Sequence, residues 1–209
     1  MVKRLALAKT DWIDAGWVLM ANKGVAAVKV EVLARQLDVS KGSFYWHFKN
    51  RQELLEGILQ RWENETLWLI EESQKAATPK ERLIKLFALA EEMSNRPDPE
   101  TAIFIWANQE PAVQERVRII ETKRVNCLNQ LLQDYGFDEA EARHKAEIGY
   151  FAVMGFWERK ERDKKFDLSM KEFDDFLIDL LLSPVKKRTK EGRVNSLEQE
   201  SWIDCKKYH

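Results

Sequence analysis

The sequence predicts an all-α protein of about nine helices, with no segment that we would assign to a strand. Apolar residues recur at three- and four-residue steps along most of the chain, which is the period of an amphipathic helix. Only 8 glycines and 5 prolines occur in 209 residues, so few positions interrupt a helix. We expect a three-helix N-terminal domain in residues 1–50, a helical domain in residues 51–183 and a flexible tail in residues 184–209.

The composition is typical of a globular protein that works in a reducing compartment. Hydrophobic residues make up 44% of the chain and charged residues 33%, and no apolar run has the roughly 18 to 20 residues that span a bilayer. The N-terminus lacks the apolar segment and cleavage site of a signal peptide. Cys127 and Cys205 form neither a disulfide framework nor a metal-binding spacing. We therefore expect a cytoplasmic protein without a metal or cofactor.

Charge is distributed unevenly between the predicted regions. Residues 1–50 contain eight Lys and Arg against four Asp and Glu, whereas residues 51–182 contain 19 against 27. The tail from Ser183 is again basic, with seven against four. A basic N-terminal domain on an acidic body indicates an anionic partner for that domain alone.

The first 37 residues predict two helices. Residues 11–22 place apolar side chains on one helical face, with Thr10 or Asp11 as the N-cap and Gly24 as the terminator. A short helix follows from Val30 to Leu37, because the end of that run has helical spacing.

A third helix, from Lys41 to Phe48, completes a helix-turn-helix pattern. Ser40 is its expected N-cap, and Lys41, Gly42 and Ser43 form the exposed end that reaches base edges. The spacing of Phe44 and Phe48 directs both rings to the core. The polar tips of Tyr45, Trp46 and His47 then remain available for phosphates or bases. The simpler alternative is a small helical hairpin with an aromatic core.

Six more helices are expected in the body. Asn50 caps the first, which ends near Lys75, and Asp138 and Ser169 cap the last two. The helix after Asp138 is expected to end in the charged run ERKERDKKF. The others are predicted over residues 79–95, 99–110 and 111–135, and Pro184 closes the last helix. The basic run KKRTKEGR in the tail is either a polyanion contact or a solvated segment.

The first 60 residues resemble the N-terminal domain of the tetracycline-repressor (TetR) family of transcriptional regulators. The resemblance rests on LARQLDVSKGSFYWHF at residues 33–48, on KNRQELLEGIL at residues 49–59, and on Ala15 and Gly24 around the first helix. It implies an Ω-shaped homodimer, a recognition helix at residues 41–47 and a ligand cavity in the body. Two positions depart from the family pattern: Lys29 replaces the usual Thr, and Glu31 stands where a basic or polar residue is common.

The resemblance and the residue pattern together define two candidate sites and one interface. The expected interface uses the last two long helices, where the candidates are Ala146, Gly149, Val153, Phe156, Trp157, Phe173, Phe176 and Leu180; packing within one chain is the alternative for each. The predicted DNA-binding residues are Lys29, Ser40, Lys41, Gly42, Ser43, Tyr45, Trp46, His47 and Arg51. The predicted ligand-binding residues are Trp62, Trp68, Phe87, Phe104, Trp106, Asn108, Tyr150 and Met154, with core packing as the alternative for the aromatic ones.

The resulting hypothesis is a ligand-responsive transcriptional regulator that represses from a pseudo-palindromic operator as a homodimer. Two other classes of protein are alternatives to a transcriptional regulator. An enzyme is disfavoured because the chain has no Gly-rich phosphate loop, no GxSxG and no HExxH, and its three histidines lie in unrelated contexts. A helical adaptor or small-molecule-binding protein without DNA binding would make Lys41, Tyr45 and His47 incidental.

Overall fold

The computed structural model describes residues 7–163 and 165–184. Within them the chain forms nine α-helices and one 3-10 turn and no strand, which confirms the predicted fold class. The predicted tail, including the basic run and Cys205, lies outside the described residues. The helices are α1 (Lys9–Lys23), α2 (Val30–Gln36), α3 (Lys41–Tyr45), α4 (Arg51–Ser73), α5 (Pro79–Ser94), α6 (Glu100–Ala107), α7 (Pro111–Tyr135), α8 (Glu139–Arg162) and α9 (Met170–Leu182), and the 3-10 turn is Val25–Ala27.

Helix α1 begins earlier than the sequence predicted. Its N-cap position is Ala8 rather than Thr10 or Asp11, so that prediction is wrong. Asp11 lies inside the first turn and accepts a hydrogen bond from the Ala8 backbone N–H at 2.6 Å. A carboxylate in the first turn can satisfy a free N–H by reaching back, and this takes the place of a cap.

The predicted end of α3 was also wrong, whereas that of α8 was confirmed. Helix α3 ends at Tyr45 rather than Phe48, because the chain tightens there: the His47 N–H bonds the Phe44 carbonyl three residues back. Helix α8 ends at Arg162, within the charged run, as the sequence predicted. The i,i+4 pair of Glu158 and Arg162, at 2.6 Å, stabilises that last turn. Basic side chains near a helix C-terminus also interact favourably with its dipole.

The buried apolar residues form two clusters. The first joins α1, α2 and α3 to the N-terminal half of α4, to α6 and to the start of α7. Trp12, Phe44, Leu54 and Ile58 are fully buried in it. The second cluster joins α5, the C-terminal half of α7, α8 and α9. The predicted boundary at residue 50 therefore does not separate two cores, because the first core continues into α4.

A buried lysine closes the C-terminus of α9. The Lys145 Nζ donates to the carbonyls of Leu181 at 2.9 Å and Ser183 at 2.5 Å, and lies 4.5 Å from the centre of the Phe137 ring. Burial lowers the pKa of this ammonium. The last carbonyls of a helix lack partners within the helix, so Lys145 serves as a cap supplied by α8.

Several residues expected at a subunit interface pack inside the chain instead. Ala146 is buried, and a Cβ on Gly149 would lie 3.1 Å from a methyl carbon of Leu181. The rings of Phe156 and Phe173 stack at 4.3 Å. For these four residues the alternative of packing between α8 and α9 of one chain is the observed one. Phe176 and Leu180 remain exposed.

Asp174 is a buried carboxylate at which we expect stability to depend on pH. One of its oxygens has no hydrogen-bond partner. Burial is the largest of the causes that raise its pKa from 3.8 to about 7, and the charges of Glu91 on α5 and Asp175 add to it. The charge of Lys160 on α8 only partly opposes this rise. The folded state therefore binds more protons than the unfolded state between these values, so stability decreases as pH rises from about 4 to about 7.

Replacing Asp174 by Asn removes this ionisation. We expect Asp174→Asn to be more stable than the parent at pH 8, by roughly 1–3 kcal/mol, and the difference to shrink towards pH 4. Urea unfolding at both pH values measures it. Asp179→Asn is the matched control, because Asp179 is exposed on the same helix and its charge is not among those that raise the pKa of Asp174. A gain that is equal at both pH values would contradict the prediction.

Candidate functional site

Helices α2 and α3 form a helix-turn-helix. The turn between them contains Asp38, whose φ of 53° lies in the left-handed region, and the Val39 N–H bonds the Ala34 carbonyl at 2.9 Å. Asp tolerates this conformation better than most residues with a side chain. The turn thereby fixes the direction in which α3 leaves α2.

The aromatic residues of α3 divide between the core and the surface, as the sequence predicted. Phe44 and Phe48 are buried, and their rings stack at 5.1 Å. The Trp12 ring packs edge-on against Phe44 at 5.2 Å. Tyr45 is 61% exposed and Trp46 is 88% exposed. Three contiguous aromatic residues cannot all face inward on one helix, and burying Phe44 directs its two neighbours to solvent.

The polar residues predicted to bind DNA lie around the same face. Lys41, Gly42 and Ser40 are exposed, and His47 and Ser43 are partly buried. Ser40 occupies the N-cap position, but its hydroxyl makes no capping hydrogen bond, so that hydroxyl is not used by the helix. Lys29 is exposed at the N-cap position of α2, and its carbonyl accepts from Val32 and Leu33. The structure thus collects these side chains on the surface formed by α2 and α3.

Arg51 is placed differently from the other predicted DNA-binding residues. Its side chain is partly buried, and its Nη2 donates to the Val25 carbonyl at 2.6 Å while its Nε donates to the Val28 carbonyl. The guanidinium therefore joins the start of α4 to the segment before α2. Its assignment to a DNA contact stays a prediction.

One feature of this surface was only partly foreseen. The Glu31 carboxylate accepts a hydrogen bond from the Lys41 Nζ at 2.8 Å, which connects α2 to the first residue of α3. This contact, ahead of the charge of Lys29, lowers the pKa of Glu31. The sequence showed that Glu31 was unusual for the resemblance, but not that Lys41 was its partner.

A second polar group lies between helices of the body. Arg124 on α7 donates to both oxygens of Glu100 on α6, at 3.0 and 2.5 Å, and to the Thr66 hydroxyl on α4 at 2.9 Å. The Trp62 Nε1 donates to the same carboxylate at 3.0 Å. Burial would raise the pKa of Glu100, but the charge and hydrogen bonds of Arg124 hold it below its usual value. Sequence reasoning named Trp62 and missed the ion pair, because nothing in the pattern connects residues 24 positions apart.

An open cleft lies beside this group, between α6 and α7. It has a volume of about 430 Å³ and is lined by Phe104, Asn108, Val117 and Glu121, among others. Glu121 accepts a hydrogen bond from the buried Tyr150 hydroxyl at 3.0 Å. The cleft therefore presents an aromatic ring, an amide and a carboxylate on two helices that also contact α4.

The comparison with known families decides what the N-terminal domain is. The sequence profile described as "Bacterial regulatory proteins, tetR family" matches residues 13–58, which contain α2, α3 and the turn between them. In residues 13–58 the chain is similar to this family. The match ends within α4, so the assignment rests on the helix-turn-helix and its supporting helices.

A relative of the chain agrees with this match. It is 28% identical over 123 residues to an uncharacterized HTH-type transcriptional regulator, YvkB, of Bacillus subtilis (strain 168). The match covers 59% of this chain and 62% of the relative's length, which is less than two thirds of that relative.

Solved structures share the fold over most of the chain. A transcriptional regulator from Rhodococcus sp. Rha1 superimposes with a TM-score of 0.69 at 18% identity, over 84% of this chain and 94% of that one. FadR from Bacillus subtilis in complex with stearoyl-CoA gives 0.62 at 17% identity, over 86% and 100%. A putative regulator from Saccharomonospora viridis in complex with choline gives 0.69 at 18% identity, over 83% and 94%. At these identities the likeness establishes the fold alone.

The residues predicted to bind a ligand in the body do not converge on one cavity. Trp62, Phe104 and Trp106 belong to the first core, where the Trp62 and Phe104 rings meet edge-on at 6.3 Å. Phe87, Tyr150 and Met154 pack in or against the second core. Trp68 is 49% exposed, because it lies on a face of α4 that no other helix covers fully. Only Phe104 and Asn108 of the predicted set line the cleft.

Among the described residues, none of the helices combines the length and apolar character needed to cross a bilayer. No group of His, Cys, Asp and Glu side chains in that part of the chain is arranged to hold a metal ion.

Proposed function

We propose that this chain is a ligand-responsive transcriptional repressor that binds a pseudo-palindromic DNA operator as a homodimer. The observation that carries the proposal is the division of α3. Phe44 and Phe48 anchor it in the core, while Lys41, Tyr45 and Trp46 are exposed on one rigid surface. A short helix held in this way presents base-contacting and phosphate-contacting groups to a major groove. The similarity of residues 13–58 to a family of bacterial regulatory proteins supports it.

An exposed apolar surface supports the homodimer. Ile148 and Phe151 on α8, and Phe176 and Leu180 on α9, are each more than half exposed. Their spacings of three and four residues place each pair on one helical face. Gly155, one turn beyond Phe151, has no atom near the position of a Cβ, so a partner helix can approach closely there. We assign this α8–α9 surface to contact with a second copy, which would place two α3 helices on one duplex.

Substitutions that introduce a charge into the α8–α9 surface test the dimer. We expect Phe151→Glu and Phe176→Glu each to convert a dimer into a monomer at micromolar concentration, because a carboxylate would be buried without a partner. Sedimentation velocity measures the mass. Ile84→Glu is the control, since Ile84 is an exposed apolar residue on α5. A dimer that survives both substitutions would show that another surface holds it.

The cleft between α6 and α7 is the proposed effector site. Its volume is within the range of small-molecule sites, and it combines the apolar side chains of Phe104 and Val117 with polar and charged ones such as Asn108, Arg118 and Glu121. Helix α6 contacts α1, and the Trp17 Nε1 donates to the Pro97 carbonyl just before α6, at 2.6 Å. A ligand that prefers another position of α6 would therefore change the orientation of the DNA-binding surface and lower operator affinity.

Selection of bound duplexes from a random pool tests the function. We expect an enriched pseudo-palindrome with half-sites about 34–36 Å apart, or a multiple of that distance, and an affinity that falls steeply with salt. Candidate effectors are then tested for weakening of that complex. A protein that enriches no sequence and binds duplex DNA at no salt concentration would be an adaptor or a simple ligand-binding protein.

A further inference from the structure

The ion pair between Glu31 and Lys41 lies at the entrance to the proposed DNA-binding surface. Both side chains are more than half exposed, and the bond spans from the first turn of α2 to the first residue of α3. Lys29, at the N-cap of α2, adds a second positive charge nearby. The carboxylate is therefore held among cations on the face where the partner is expected to be an anion.

Glu31 opposes contact with the DNA backbone. A lysine at the start of a recognition helix attracts any phosphate, whatever the sequence, and this attraction supplies most of non-specific binding. The Glu31 carboxylate is already paired with the Lys41 ammonium, and its negative charge repels phosphates that approach Lys41. For non-specific duplexes, the pair thus removes about one effective positive charge from the surface.

The same carboxylate has a favourable partner only at a base edge. Phosphate and sugar offer no strong donor, and thymine and guanine present acceptors in the major groove. The exocyclic amino group of cytosine is a donor there, and a Glu or Asp side chain accepts from it. The amino group of adenine is a donor too, but it lies beside the N7 acceptor, which repels a carboxylate. Lys41 restrains Glu31 on α2 beside the base-facing end of α3, so the carboxylate does not have to be ordered at the moment of binding.

We propose that Glu31 determines specificity: it reads a cytosine amino group in each half-site and, through its pair with Lys41, lowers the affinity for all other DNA. The inference rests on the proposed function. It assigns Glu31, a residue that departs from the family pattern, to the DNA interface.

Glu31→Gln separates this role from a general effect of charge. The amide keeps the length of the side chain and removes the charge that repels phosphates. For an unrelated duplex, we expect the variant to bind more tightly than the parent, with a salt slope steeper by about 0.9, so that its advantage is about threefold larger at 50 mM than at 200 mM salt. Glu71→Gln is the matched control, because it removes one negative charge from an exposed site on α4 about 30 Å from the start of that helix.

Base substitution tests the specific contact. In the selected operator, each cytosine of a half-site is replaced in turn by thymine, which exchanges the amino donor for a carbonyl acceptor. We expect the parent to lose at least about fivefold at one position and Glu31→Gln to lose little there, because its amide can donate to thymine. Fluorescence anisotropy on both duplex sets gives the affinities.

The outcomes separate the two proposals. If the parent binds its operator but Glu31→Gln matches Glu71→Gln on every duplex, Glu31 is not a specificity residue and the inference fails alone. If neither the parent nor the variants bind any duplex, the proposed function fails and the inference with it.

Discussion

Replacing Lys41, Tyr45 and His47 together by Ala is expected to abolish operator binding and to leave the fold intact. All three lie on the surface formed by α2 and α3, and none is part of the buried core. The substitution of Lys41 removes a contact with a phosphate or a base, and those of Tyr45 and His47 remove polar groups positioned for phosphates. Removing about three such contacts should reduce the affinity by at least roughly 100-fold at physiological salt and flatten the salt dependence.

The body offers a matched control for this triple substitution. Lys80, Tyr135 and His144 are the same residue types, are exposed, and lie far along the chain from α3. Their replacement by Ala should leave operator affinity within about twofold of the parent, because surface positions away from the interface contribute little. Circular dichroism and sedimentation of both variants establish that the fold and the assembly state are unchanged. Equal loss of affinity in the two variants would mean that α3 does not contact the DNA.

Removing the Glu100 carboxylate is expected to destabilise the body more than any other single substitution considered. Glu100→Ala leaves the Arg124 guanidinium without a counterion and the Trp62 N–H without an acceptor. Breaking a buried pair from one side costs about 3–5 kcal/mol. Since the two side chains keep about a fifth of their exposure, we expect roughly 2–4 kcal/mol in urea unfolding at pH 7.

A double-mutant cycle shows whether the loss comes from the unpaired charge. We expect Glu100→Met combined with Arg124→Met to be less destabilising than the sum of the two single substitutions, because the double variant leaves no buried charge unpaired. Strict additivity would mean that the two groups act independently. The contribution of the pair should also fall at low pH, as the pH approaches the depressed pKa of Glu100.

The helix-turn-helix could be predicted from sequence because its determinants are local. The spacing of Phe44 and Phe48 specifies which face of α3 is buried, and Asn50, Asp138 and Ser169 are all observed as side-chain caps. Each of these depends on residues no more than four positions apart.

The candidate sites of the body were less predictable because they depend on tertiary contacts. Trp62 and Trp68 are six residues apart on α4 and look alike in the sequence, yet Trp62 is buried and Trp68 is about half exposed. Arg124 on α7 donates hydrogen bonds to Glu100 on α6 and to Thr66 on α4, and no local sequence pattern predicts these contacts. The end of α3 was misjudged by three residues, since a tightened last turn has the same apolar spacing as a continuing helix.

The continuity of the first core from α1 into α4 limits how the chain can be recombined. Leu54, Leu55, Ile58 and Leu59 of α4 are fully buried against residues of the first three helices. A chimera that exchanged only residues 1–50 for those of a homologue would join two halves of a core that were never matched in shape. Grafting a new DNA specificity onto this body should therefore succeed better with a junction placed beyond Trp62, or with substitutions confined to the exposed side chains of α2 and α3.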